Sequence, residues 1–245
     1  MKCKKLIGAL RKGVYILFPP HCPCCGGILA IAEYEEGFCA DCKDKIRYIG
    51  EPACKVCGKP LKKDSDEICY DCGRVRHLFL QSKAVYVYTG GMKTAMYGLK
   101  YGNRRGYGRV FAKDMARIYG RWMKRKGIDL IVPVPMNGAK RRERGYDQAA
   151  VLARALSDET GIPFSGNTLI RTRRTRPMKE LNGSERRKNL KKAFKMAQSG
   201  VKSKRVLIVD DIFTTGSTLD ACAEVLLAGG AAAVFGMTAV VGEGI

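Results

Sequence analysis

The spacing of apolar positions changes character near residue 80. Beyond that point short apolar runs alternate with helical periodicity. "KAVYVYTG" reads as a strand and "GMKTAMYGLKY" as a short helix. In "YGRVFAKDMARIYGRWMKRKG", Phe111, Met115, Ile118 and Trp122 recur at i, i+4, i+7 and i+11, an amphipathic helix stopped by Gly127. "DLIVPVP" reads as a buried strand, and "YDQAAVLARALSDETG" as a helix with Ala149, Leu152, Ala153 and Leu156 inward. "RVLIVDD" is another apolar strand, followed by a helix on which Leu219, Cys222 and Leu226 share a face, and "AAAVFGMTAV" closes the sheet. Cys222 therefore reads as core rather than nucleophile. Strands that are apolar on both faces, alternating with helices, specify an α/β fold: a parallel sheet with helices on both faces.

Before residue 80 that pattern is missing and cysteine takes its place. Ten of the eleven cysteines fall within the first 72 residues, in four C-x-x-C pairs: Cys22/Cys25, Cys39/Cys42, Cys54/Cys57 and Cys69/Cys72. "CPCCGGIL" is echoed by "CKVCGKPL" 32 residues on, and "CADC" by "CYDC" 30 residues on. A C-x-x-C followed by glycine makes a tight knuckle, and two knuckles complete a tetrahedral four-cysteine zinc site. The repeat suggests two sequential ribbons of structural zinc; a cross-braced pairing, first with third and second with fourth, would use the same residues. Cys24 and Cys3 read as free thiols, and His21 as a neighbour of the first knuckle. Such a module has little apolar core, so metal would supply most of its folding free energy. The expected organisation is a double zinc-ribbon module over residues 1–80, beginning with a short basic amphipathic helix, and an α/β domain over 81–245.

Charge and hydropathy narrow the setting. The net charge is +22, of which residues 1–80 hold +4 and residues 81–245 hold +18. An excess on that scale attracts phosphate, as nucleic acid, nucleotide or phosphosugar. The uncharged C-terminal run "AAAVFGMTAVVG" is well short of the roughly 20 residues a spanning helix needs. Arg11 and Lys12 break the N-terminal apolar stretch, which argues against a secretory signal. Without a span or a secretory signal the protein reads as cytoplasmic, and eleven cysteines in reducing conditions argue against a disulfide scaffold.

In a parallel sheet, ligands sit at the carboxyl ends of the strands. Two loops fall there, "VPMNGAKRRERG" and "DDIFTTGST". In the second, Gly216 permits close backbone approach and the next helix offers free N–H groups, while Thr214, Thr215, Ser217 and Thr218 add hydroxyls. This is a cradle for a phosphate monoester, and without a lysine after the glycine it is no Walker A loop. Asp210 and Asp211 can accept from sugar hydroxyls. Phosphate and diol recognition side by side describes a ribose 5-phosphate.

"VLIVDDIFTTGST" resembles the signature of type I phosphoribosyltransferases, and the chain as a whole resembles the ComF family of competence-associated proteins. The cysteine pairs after "FPP", "DLIVPVP", "RRERGYDQA" and "TRPMKELNGSERRKNLKKAF" extend the match over nearly the whole length. The sequence departs from the family at Met136-Asn137-Gly138, at Tyr146-Asp147-Gln148 and at Pro177-Met178. The resemblance implies binding of phosphoribosyl pyrophosphate (PRPP) with Mg²⁺. Asp210 and Asp211 would hold the ribose hydroxyls, Thr214 to Thr218 the 5-phosphate, and Arg141, Arg142 or Arg144 the pyrophosphate. The segment around 171–190 would correspond to a loop closing over the site. The resemblance further implies a part in natural transformation, with single-stranded DNA and other competence proteins as partners. An active phosphoribosyltransferase with an unidentified acceptor, and a DNA-binding scaffold with a relic pocket, are the competing readings. "YGLKYGNRRGYGR", "RIYGRWMKRK" and "RTRRTR" interleave aromatics and cations as single-strand grooves do, with Arg173, Arg174 and Arg176 expected to touch phosphate, although Tyr119 and Trp122 fit a helix's inward face better than a stacking role.

Overall fold

The computed structural model describes residues 19–172, 185, 189, 190 and 192–242. The expected N-terminal helix, Cys3 and the arginines 173, 174 and 176 lie outside these residues, as does most of the expected closing loop.

The body is built on strands β1 (Gln81–Val87), β2 (Leu130–Pro133), β5 (Arg205–Phe213) and β6 (Ala233–Val241). They form a four-stranded parallel sheet in the order β1-β6-β5-β2. The final strand is thus interior rather than terminal, and all nine of its residues are buried. This is why "AVFGMTAVV" carries no charge: both faces of β6 meet core.

Helices α3 (Gly90–Tyr101), α4 (Gly106–Arg125) and α6 (Gln148–Thr160) cover one face, where Met92, Phe111, Met115, Leu152 and Leu156 pack against Leu207, Val209 and Phe235. Helices α4 and α6 approach closely because α4 carries Gly108, where a Cβ would come within 2.7 Å of Val151. The other face is covered by α7 (Ser217–Ala228) and by an antiparallel hairpin of β3 (Leu169–Arg171) and β4 (Phe194–Met196). That hairpin had no signal in the sequence, since three-residue strands are too short to show a period. A further short helix, α5 (Gly138–Arg144), occupies the basic stretch after β2 that reads as a loop. Its start is the Asn137 side chain accepting from the Ala139 N–H, and its stop is Gly145 at φ 78°.

The cysteine-rich segment is not an appendage. Residues 47–56 run along the outer border of β1, where Ile49 N–H donates to Val85 O, Val87 N–H to Arg47 O, and Ser82 N–H to Val56 O. The border of the sheet is therefore hydrogen-bonded and covered. Beside it Tyr48 and Tyr86 both donate to Asp114 Oδ2 at 2.9 and 2.6 Å, and Arg117 donates to Asp114 Oδ1. A carboxylate that is nearly fully buried is tolerable there because three donors satisfy it.

Candidate functional site

The eight paired cysteines gather into two groups, Cys22, Cys25, Cys39 and Cys42, and Cys54, Cys57, Cys69 and Cys72, with all sulfurs of a group within 4.8 Å of one another. The pairing is sequential, not cross-braced. Each first knuckle repeats the other bond for bond: Cys22 N–H donates to Gly27 O and Cys54 N–H to Lys59 O, both at 2.8 Å, and Gly26 and Gly58 both take φ 76°. Each second half is a single helical turn, α1 (Ala40–Lys43) and α2 (Tyr70–Arg74), entered through an extended Cys39 or Cys69.

The sulfurs fit a tetrahedral ion. Zn–S bonds of about 2.3 Å imply sulfurs about 3.8 Å apart; Cys25 and Cys39 stand at 3.8 Å, Cys57 and Cys69 at 3.6 Å. Hydrogen bonding from neighbouring thiols, Cys57 first, drives Cys54 far below the usual thiol range, and the same contacts push Cys57 far above it. Four sulfurs this close cannot all ionise without a cation among them. Cys24 is no ligand. It is buried against the start of α3, where a Cβ on Gly91 would come within 2.7 Å of it.

The second centre lies at the carboxyl ends of the strands. Gly216, at φ 77°, turns the chain from β5 into α7, and Asp210, Phe213, Thr214, Gly216, Thr218 and Leu219 line a cleft there. Thr214 is exposed, Ser217 is buried, and the Thr215 and Ser217 hydroxyls are 2.9 Å apart. Thr218 stands in the first turn of α7, so the hydroxyl-rich loop surrounds the N-terminus of a twelve-residue helix.

The two acids are adjacent but not equivalent. Strand alternation sends Val206 and Ile208 to the α7 face, and Leu207 and Val209 to the face of α4 and α6. Asp210 follows the first set into the cleft. Asp211 follows the second: its Oδ2 receives Lys100 Nζ at 3.0 Å and Gln148 Nε2 at 3.0 Å. Burial, and then the charge of Asp211, push Asp210 well above the usual carboxylate range. Of the arginines, Arg141 and Arg142 are exposed on α5, while Arg144 is turned inward and donates to Gln148 Oε1 at 2.5 Å. Asp147 has a structural role, in which its Oδ1 caps α6 at the Ala150 N–H and its Oδ2 accepts from the Met136 N–H, tying the loop after β2 to the helix.

Lys100, His77 and Asp220 have no signature in the sequence, and Gln148 has none beyond its place in "RRERGYDQA". His77, just after the second ribbon, stacks on Phe79 at 4.5 Å, with its Nδ1 2.8 Å from Asp220 Oδ2 in α7. Asp220 Oδ1 also accepts from the Leu78 N–H at 2.9 Å. A Cβ on Gly216 would lie 2.7 Å from the His77 ring, so the imidazole forms the floor of the turn that starts α7. Nothing local marks His77, since its partner is 143 residues away.

Two family models match the chain. Residues 14–73 match the double zinc ribbon domain and residues 108–244 the phosphoribosyl transferase domain. Competence protein F of Haemophilus influenzae is 30% identical over 211 residues, covering 84% of this chain and 90% of that protein. Competence protein ComFC of Bacillus subtilis is 28% identical over 218 residues, 84% of each chain. DNA utilization protein YhgH of Salmonella typhimurium is 29% identical over 222 residues, 88% of this chain and 94% of that one. Among the described residues no helix is long and apolar enough to cross a membrane.

Proposed function

Because the chain belongs to the ComF family, a double zinc ribbon ahead of a phosphoribosyltransferase domain, we propose that it binds PRPP with Mg²⁺ in the cleft after β5 and handles single-stranded DNA in the cytoplasm during natural transformation. Residues 1–80 and 81–245 act in it as two functional units, the first shaping and bracing the second.

The observation that carries this reading is the cradle at Gly216. Thr214 and Thr218 line the cleft beside the start of α7, where the helix's free backbone N–H groups would meet a phosphate monoester, and the paired hydroxyls of Thr215 and Ser217 would support that donor set from behind. Asp210, four residues before Thr214 on the cleft wall, would supply an acceptor for ribose hydroxyls. Asp211 stands behind it, and its hold on Lys100 and Gln148 fixes the strand end. Its own carboxylate reaches the sugar only by loosening those contacts. Burial and the neighbouring charge of Asp211 raise the affinity of Asp210 for a proton. Were an acceptor to take the ribose, its bond to C1 would form as the C1–O bond to pyrophosphate breaks, and the negative charge of the carboxylates would stabilise the oxocarbenium-like sugar in between. Bound Mg²⁺ would neutralise the leaving pyrophosphate, a role shared by the exposed Arg141 and Arg142. The competence names of the relatives favour the DNA-handling role over nucleotide salvage.

Calorimetry with PRPP and Mg²⁺ should give heat with the native chain and none with Asp210→Ala/Asp211→Ala. Equal heat from that double variant would show the cradle misassigned.

A further inference from the structure

We infer that the tyrosine pair Tyr97–Tyr101 on α3, flanked by Arg104, Arg105 and Arg144, is a stacking platform for the bases of single-stranded nucleic acid. This rests on the DNA-handling reading above and gives it a surface.

Helix α3 buries Met92, Ala95, Met96 and Leu99 in the core, which leaves Tyr97 and Tyr101 on the opposite side at i and i+4. Both are 66% exposed, and their ring centroids are 5.1 Å apart. Two large rings side by side in water, on a helix whose core contacts are already complete, add nothing evident to folding. Their planes are tilted by 44°, so each ring keeps π surface of its own in water, with Arg144 over part of Tyr101. The Arg144 guanidinium lies 5.0 Å from the Tyr101 centroid, and that of Arg105 lies 4.7 Å over Tyr146 and donates to Gly145 O. Both cations are thus oriented by contacts on the body.

The charge around the rings has one sign. Residues 90–113 contain no Asp or Glu, while Lys93, Arg104, Arg105 and Arg109 are exposed along them. Phosphates complement that charge, and the bases they carry complement the rings. In a duplex each base face is already covered by its neighbour, so only an unpaired strand has faces to offer. The platform also joins the cleft through named contacts. Arg144 touches Tyr101 on one side and Gln148 on the other, and Gln148 donates to Asp211.

The test is fluorescence anisotropy at several salt concentrations, using an oligothymidylate and an abasic strand of equal length. Tyr97→Ala/Tyr101→Ala should bind oligothymidylate about 10-fold or more weakly than the native chain. Its affinity for the abasic strand and its salt slope should stay unchanged, because no phosphate contact is lost. Tyr97→Phe/Tyr101→Phe should bind like the native chain. An alanine pair that binds oligothymidylate as tightly as native, or loses equally on the abasic strand, overturns the platform while the DNA reading stands. If the native chain binds neither strand, the DNA reading falls and the platform with it. Undiminished PRPP heat and zinc content show that each variant is folded.

Discussion

The two ribbons are near-copies in sequence and in backbone bonds, yet they face opposite sides of the sheet. The first puts Cys22, Cys24, Leu29 and Phe38 into the core shared by α3, α4 and α6, with Phe38 edge-on to Tyr86. The second puts Cys54 and Cys57 into the core shared by α7, alongside Phe79 and Phe213. Their linker runs between them on β1, so the module straddles the sheet border. Duplication supplied two equal metal sites, and docking made them unequal. Only the second continues into His77, and through it to the floor of the Gly216 turn.

The largest expected effect is on metal. Protein purified without chelator should hold about two zinc ions by elemental analysis, with Cys22→Ser and Cys54→Ser each losing about one. Structural zinc contributes on the order of 10–16 kcal/mol to folding of isolated zinc-finger peptides. Hydrogen exchange should then differ between the two variants: Cys22→Ser should expose amides at the start of α3, and Cys54→Ser those of Ser82–Ala84 and the Gly216 turn. Identical exchange patterns would erase the asymmetry.

Single side chains give a smaller contrast. Phe38→Ala empties a fully buried site and should cost about 3–5 kcal/mol of stability, leaving PRPP affinity intact in the folded fraction. His77→Ala should cost less, about 1–3 kcal/mol for the Asp220 carboxylate it leaves short of a partner, yet weaken PRPP several-fold because the turn loses its floor. Thermal unfolding and calorimetry on both variants separate the two quantities. A His77→Ala chain with native PRPP affinity would confine the second ribbon to a structural role.

The smallest effect is confined to the first ribbon. Glu33 accepts from the Ala30 and Ala40 N–H groups, both at 2.8 Å, and those bonds hold its pKa below the usual 4.5. An acid whose pKa is lowered on folding stabilises above its unfolded value, and that contribution is lost as pH falls through the folded one. Slower exchange at Ala30 and Ala40 in the native chain than in Glu33→Gln should therefore be seen at neutral pH and vanish in acid. A pH-independent difference would assign the effect to shape, not charge.

What was legible in the sequence is what depends on near neighbours. The metal sets follow from i, i+3 cysteines and two offsets of about one repeat. The strands β5 and β6 follow from unbroken apolar runs, and α4 and α6 from their period. The turn after β5 was legible because hydroxyls, glycine and helix start are consecutive. Contacts across the chain were not. Asp211 reads as the twin of Asp210 until Lys100 and Gln148, the latter 63 residues away, are seen to hold it. Asp147 stands in the sequence only as a departure from the family pattern, whereas in the fold it caps a helix. The helix α5 has no apolar face, so only its Asn137 and Gly145 ends could have marked it.

The covered border of β1 ties solubility to metal supply. A chain begun after residue 80, or one whose ribbons have lost their zinc, would leave the N–H groups of Ser82 and Val87 and the carbonyl of Val85 without the partners they have here. Such a bare border is a template for another copy's strand. Loss of metal from the cysteine clusters should therefore appear as self-association, at a distance from any chemistry in the cleft.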